Sequence, residues 1–151
     1  YYGFRPSKEK GGHLMFNCGF MKIKQFGSNE VGILSAVEGT RDIPFEIKRI
    51  YYITNVPEKT ERGFHSHRKL HQVLICLSGS VTIRVYNGEK KENFRLNRTD
   101  IGLYLGPMVW REMVEFSDGC VLLVLASEYY TEDDYIRDFA TYLKESKSYF
   151  E

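Results

Sequence analysis

Short runs of apolar residues, some alternating with polar ones and some continuous, recur along most of the chain with turn residues between them. FMKIKQF (20–26) alternates apolar and polar positions, the two-residue period of a half-buried strand. VGILSAV (31–37) follows a Gly-Ser-Asn turn, and EIKRIYYIT (46–54) is rich in β-branched and aromatic residues. HQVLICL (71–77) is nearly continuous in apolar character. SVTIRVY (80–86) alternates and ends at Asn87-Gly88, a dipeptide suited to a tight hairpin, with ENFRLN (92–97) as the return strand. IGLYLG (101–106), VWREMVEF (109–116) and CVLLVLAS (120–127) complete the series. About eight or nine short strands at this spacing predict a sandwich, jelly roll or small barrel. The pattern then changes. Thr131 precedes Glu132, Asp133 and Asp134, and Tyr135, Ile136, Phe139, Tyr142 and Leu143 follow at helical spacing. This predicts one amphipathic helix over 132–146, capped by Thr131 and packed on the barrel. The expected class is all-β with a C-terminal α-helix.

At 151 residues the chain is long enough for one domain with a substantial core. Its 21 basic and 20 acidic residues leave a formal net charge of +1, so no bulk basic field exists to hold nucleic acid. Cys18, Cys76 and Cys120 are odd in number and form no CxxC pair; they read as buried thiols of a reducing, cytoplasmic compartment. No apolar run reaches transmembrane length, so no membrane partner is expected. The opening YYGFRPSKEKGGHLM lacks the apolar segment of a signal peptide and does not begin with Met. Residues 1–15 are read as an extension, and 16–151 as the domain.

The chemistry concentrates in RGFHSHRKLHQVLICLSG (62–79), which holds three of the four histidines, His65, His67 and His71; the fourth is His13. His65 and His67 are two apart, so on an extended segment both rings point to one face. Two such imidazoles can ligate a metal or form an acid–base pair; on a plain surface strand they would be solvated polar residues.

Gly63, His65, His67 and Gly79 resemble the first motif of the cupin superfamily, whose barrel is a jelly roll. In metal-binding cupins an acidic ligand follows; the matching position here is Gln72, a weak ligand. The stretch matching the second motif, GLYLGPMVWREM (102–113), has no His and places Arg111 where a ligand would be sought. A cation there repels a metal, so no metal or other cofactor is expected.

Four stretches carry a closer resemblance: IPFEIKRIYYI (43–53), RGFHSHRKLHQVLICLSGSV (62–81), IGLYLGPMVWREM (101–113) and VLLVLASEYYTEDDYIRDF (121–139). In this order they resemble the sugar 3,4-ketoisomerase family of cupins, over roughly residues 20 to 140. The resemblance implies a metal-free homodimer acting on dTDP-4-keto-6-deoxy-D-glucose, whose product is aminated at C3 for bacterial surface glycans. Relatives are in some cases joined to an acyltransferase, so fusion in a longer chain is a further expectation. By this resemblance His67 is the base at C3, His65 the proton shuttle, and Tyr51 a hydrogen-bond donor to the enediolate. The alternation in EIKRIYYI leaves Tyr52 open as the alternative to Tyr51. Arg62 and Arg49 are expected on the diphosphate, Tyr104 and Trp110 on the sugar or base, and Arg111 with the substrate-binding set.

Two positions depart from several relatives: Arg111 stands where they carry His after the Trp, and Val31 where they often carry Arg. The missing imidazole favours the gluco product. Two other readings stay open at this point: a non-catalytic sugar-nucleotide-binding cupin, and a metal-dependent cupin enzyme.

Overall fold

A computed structural model describes residues 17–151, so the expected extension over 1–15 lies outside the described residues. The strands are β1 (Cys18–Lys22), β2 (Lys24–Ser28), β3 (Gly32–Ala36), β4 (Arg49–Ile53), β5 (Arg62–His67) and β6 (Gln72–Ser78). They continue as β7 (Val81–Tyr86), β8 (Lys91–Leu96), β9 (Ile101–Leu105), β10 (Trp110–Val114), β11 (Val121–Ala126) and β12 (Tyr135–Ile136), before the helix α1 (Phe139–Phe150). Two five-stranded sheets, ordered β1-β9-β6-β11-β4 and β12-β5-β10-β7-β8, pack face to face, with β2-β3 as a separate hairpin. Every pairing between these strands is antiparallel. The result is the cupin-like jelly roll with a C-terminal helix.

Alternation decides what each strand buries. Leu74, Cys76, Ile83, Val85, Leu103, Leu105, Leu122 and Val124 point between the sheets and form the main core. Val73 and Ile75 point the other way but are also buried, with Tyr104, Leu125, Ile43 and Phe45. This explains the continuous apolar run of β6, a strand covered on both faces. The run 20–26, expected as one strand, divides at Ile23, whose amide donates to the Asp100 carbonyl at 2.9 Å. Upstream residues pair with β9 and downstream ones with β3.

The expected helix over 132–146 is corrected. Residues 132–134 form a single 3₁₀ turn, Tyr135 and Ile136 pair with His67 and Ser66 at the sheet edge, and α1 starts only at Phe139. Thr131 makes no side-chain cap bond; the cap is Asp138, whose carboxylate accepts from the Thr141 amide at 2.9 Å. Ladder hydrogen bonds to β5 satisfy the backbone that a longer helix would have used. The helix is seated by Tyr142, fully buried with Met108, Trp110 and Ile136, its hydroxyl donating to the carbonyls of Tyr86 and Met108 at 2.8 and 3.0 Å.

One irregularity positions the site. In the β5–β10 ladder His65 faces Arg111 and Gly63 faces Glu112, so Phe64 is an extra residue, a β-bulge. Gly63 and Phe64 both have positive φ, +90° and +54°. The bulge reverses the alternation, so that Arg62 reaches the same cavity as His65. A Cβ on Gly63 would lie 3.0 Å from the Arg111 carbonyl oxygen. Gly63→Ala is expected to cost about 1–3 kcal/mol through backbone strain plus this contact. Gly119→Ala, where φ is +70° and a Cβ meets nothing within 4 Å, isolates the strain alone and should cost less. Thermal unfolding of the two variants checks the order; an unchanged Tm for Gly63→Ala contradicts it.

Candidate active site

The inner faces of β4, β5 and β10 converge with β12 at one end of the barrel. There they enclose a cavity of about 290 Å³ whose walls include Arg49, Tyr51, Arg62, His65, Tyr135 and Arg137. On β4 the odd positions turn inward. Tyr51 is half-buried on the wall while Tyr52 is 68% exposed on the outer face, which closes the alternative left by the sequence.

His65 and His67 project together from β5. Their ring centroids are 4.9 Å apart with perpendicular planes. Tyr135 packs against both, at 5.0 Å from His65 and 4.3 Å from His67. The two rings are not equivalent. His65 is on the cavity wall, whereas His67 is not among the wall residues and is only 1% exposed. His67 Nδ1 is 3.1 Å from Asp134 Oδ2. A carboxylate accepts, so Nδ1 carries the hydrogen and Nε2 keeps its lone pair. That Nε2 is buried and has no hydrogen-bond partner among the described residues, and the same holds for His65 Nδ1.

Both imidazoles are neutral at pH 7. Burial, reinforced by the positive charge of Arg111, pushes His65 down to about 3 and His67 lower still. The His67–Asp134 contact is therefore a hydrogen bond from an uncharged ring, not an ion pair. Burial raises the Tyr51 phenol, and the Arg111 charge opposes that rise.

Arg111 is fully buried behind the wall. Its Nε and Nη2 donate to the Val109 carbonyl at 3.2 and 3.0 Å, and Nη1 donates to Gln72 Oε1. Gln72 Nε2 in turn donates to the Tyr51 hydroxyl at 2.8 Å. Arg49 is stacked over the Tyr51 ring at 5.1 Å, and Arg137 over Tyr135 at 4.3 Å while paired with Glu132. The donor set does not suit a metal: two imidazoles face a guanidinium, and Gln72 is engaged with Arg111 and Tyr51. Among the described residues no three His, Cys, Asp or Glu side chains cluster as ligands.

Of the residues expected from the sequence, Arg49, Tyr51, Arg62 and His65 share the cavity, with His67 and Arg111 directly behind. Tyr104 and Trp110 do not belong to it. Tyr104 alternates out of the main core, and its hydroxyl meets His71 Nδ1 at 2.6 Å on the other side of the sheet. Trp110 faces away from the cavity because Arg111 and Met113 face in, and it packs under α1 with Phe139 at 5.0 Å. Asp134, Tyr135 and Arg137 were missed. A two-residue strand has no period to detect, and the acidic run before it imitates a helix start.

The family model described as FdtA/WxcM-like, C-terminal, matches residues 16–147. The chain belongs to this family. It is 52% identical to a mutant of the 3,4-ketoisomerase QdtA from Thermoanaerobacterium thermosaccharolyticum in complex with TDP-4-keto-6-deoxyglucose, covering 89% of this chain and 97% of that one with a TM-score of 0.86. It is 48% identical over 113 residues, 75% of this chain and 81% of the relative, to TDP-4-oxo-6-deoxy-alpha-D-glucose-3,4-oxoisomerase of Aneurinibacillus thermoaerophilus. The TDP-quinovose 3,4-ketoisomerase WlaRB from Campylobacter jejuni is 45% identical, covering 85% of this chain and 98% of that one with a TM-score of 0.81.

The buried imidazoles of this FdtA-like chain make its stability depend on pH. Unfolded histidine titrates near 6.5, and His65 in the fold near 3. Between those values the unfolded chain binds more protons, so stability falls as pH falls. At pH 5 the loss from His65 is about 2 kcal/mol. Tm should drop between pH 7.5 and 5, and the drop should be shallower in His65→Gln. An equal slope in both proteins contradicts the neutral burial of His65.

Proposed function

We propose that this chain is a TDP-sugar 3,4-ketoisomerase that converts dTDP-4-keto-6-deoxy-D-glucose to dTDP-3-keto-6-deoxy-D-glucose. The observation that carries the reading is the pair of uncharged imidazoles at a cavity walled by a phenol and arginines.

Moving the ketone from C4 to C3 begins with loss of the hydrogen on C3, which is acidified by the neighbouring carbonyl. The electron pair passes to the C4 oxygen, giving an enediolate. The C4 oxygen then takes up a proton, the C3 hydroxyl gives one up, C4 receives one, and the carbonyl re-forms at C3. Hydrogen count and oxidation level are unchanged overall, so the reaction needs no redox cofactor. A base that is unprotonated at neutral pH and a donor to the developing oxyanion are sufficient.

His65 stands on the wall and His67 behind it, so we assign the base at C3 to His65 and the relay of protons to His67. This exchanges the roles expected from the sequence, because access to substrate belongs to the outer ring. Tyr51 stabilises the enediolate. Arg62 and Arg49 suit the diphosphate: Arg62 is exposed at the cavity edge, and Arg49 is a cation against the Tyr51 ring.

The gluco assignment rests on residue 111. Every donor of the Arg111 guanidinium named above is directed to a protein acceptor, and a guanidinium does not exchange protons as an imidazole does. It offers no second acid for the opposite face of C4. A homodimer is part of the same proposal. Phe26, Ile33 and Leu34 of the hairpin and Ile50 and Tyr52 of β4 are all more than half exposed, an apolar surface suited to a second copy.

Turnover is tested by incubation with dTDP-4-keto-6-deoxy-D-glucose and trapping of product by a C3-aminotransferase. His65→Asn should lower kcat by about 10²-fold or more. Full activity in that variant overturns the assignment of the base. The acid limb of kcat/KM should lie well below 6.5, because the base is held neutral. Product NMR should show the large coupling between the hydrogens on C4 and C5 that marks an equatorial C4 hydroxyl; a small coupling overturns the gluco assignment. Light scattering should give a mass twice that of the chain.

A further inference from the structure

We infer that Gln72 is a positioning residue that turns the Tyr51 hydroxyl into a hydrogen-bond donor toward the substrate, with Arg111 fixing the orientation of Gln72. The inference rests on the ketoisomerase reading of this cavity.

Three facts force the polarity. Arg111 is fully buried and has only donors, so the end of Gln72 that meets it must be the carbonyl oxygen. Gln72 is itself 1% exposed and cannot turn to water for another partner. Its amide nitrogen therefore faces Tyr51 and donates to the phenol oxygen at 2.8 Å. With an acceptor site of its oxygen filled, Tyr51 has its own hydrogen left to give. No acceptor for that hydrogen is found among the described residues, and the ring lies on the cavity wall. The chain runs one way, from Arg111 through Gln72 to Tyr51 and on into the cavity.

The rotational freedom of a phenol makes this control useful. A lone Tyr hydroxyl is both donor and acceptor and turns to suit its neighbours. An oxyanion forming on the sugar gains from a donor already aimed at it, because no reorganisation is needed as charge develops. Gln72 supplies that aim without touching the substrate. A glutamate of the same shape would do the opposite: both of its oxygens accept, so one would hold Arg111 and the other would draw the Tyr51 hydrogen away from the cavity.

Gln72→Glu keeps volume and the Arg111 contact, reverses one hydrogen bond and adds a negative charge beside Arg111. The expected result is a kcat lower by about ten-fold or more with KM changed by less than about two-fold, since the donor acts on the enediolate more than on the ground state. In a Tyr51→Phe background the same substitution should produce a much smaller further loss, that of the added charge alone, because the group that Gln72 orients is gone. A kcat within about two-fold of the parent, or an equal loss in both backgrounds, overturns the inference. Where Gln72→Glu does not fold, Gln72→Asn serves in the same cycle: its carbonyl remains for Arg111, and its amide is one methylene short of Tyr51. The parent enzyme separates the two layers. A parent that fails to turn over dTDP-4-keto-6-deoxy-D-glucose overturns the function, whereas an active parent with an insensitive Gln72 overturns only the positioning role.

Discussion

A permanently charged guanidinium sealed inside the barrel is the constraint around which the rest of the site is arranged. Arg111 has no exposure, and among the described residues no carboxylate partners its side chain. A buried charge is tolerable only when it is hydrogen-bonded, and here each of the three guanidinium nitrogens donates, to the Val109 carbonyl or the Gln72 amide oxygen. The charge then acts on its surroundings. It opposes protonation of both imidazoles, adding to the burial that already disfavours their charged forms. The same cation opposes the rise of the Tyr51 phenol, so one residue biases the imidazoles and the phenol together.

The barrel was legible because its strands are amphipathic or doubly buried, and both patterns survive in one sequence. Val81–Tyr86 alternates, but its hairpin turns through four residues, 87–90, rather than the two of a tight turn, with Gly88 at φ +91° and Asn87 Oδ1 accepting from the amides of Glu89 and Lys90. His65 and His67 were legible for the same reason, since spacing by two on an extended segment fixes a shared face. What failed depends on contacts that no local window contains. The bulge at Phe64 comes from pairing with β10, and only pairing decides that Arg62 turns inward. Tyr104 and Trp110 looked like stacking residues, yet each sits at a position whose neighbours face the other way. Aromatic type alone does not say which side of a sheet a ring occupies. Val31 is a similar case: it lies 83% exposed, and no lining contact connects it to the cavity within one chain.

The C-terminal segment shows how a competing hydrogen-bond ladder overrides a helical pattern. Residues 132–136 have an acidic start and apolar spacing, but β5 offers an unpaired edge beside them. Pairing Tyr135 with His67 satisfies backbone that would otherwise be buried without partners. It also brings three side chains to the cavity that a helix would have dispersed: Asp134 behind His67, Tyr135 against both imidazoles, and Arg137 over Tyr135. The edge strand is two residues long, which suffices because α1 clamps it from outside through Tyr142.

Two hydrogen-bond chains end at this site, and they end with opposite polarity. Asp134 takes the hydrogen of His67 Nδ1 and leaves Nε2 as a lone-pair acceptor. Arg111 and Gln72 fill an acceptor site of the Tyr51 oxygen and leave its hydrogen to give. Proton transfer between adjacent carbons needs both kinds of group at once: a lone pair through which a proton can be relayed, and a donor for the oxygen on which charge collects. Neither polarity is intrinsic to imidazole or phenol, each of which can donate or accept. Both are imposed from behind, by a carboxylate that can only accept and a guanidinium that can only donate, neither of which is on the cavity wall.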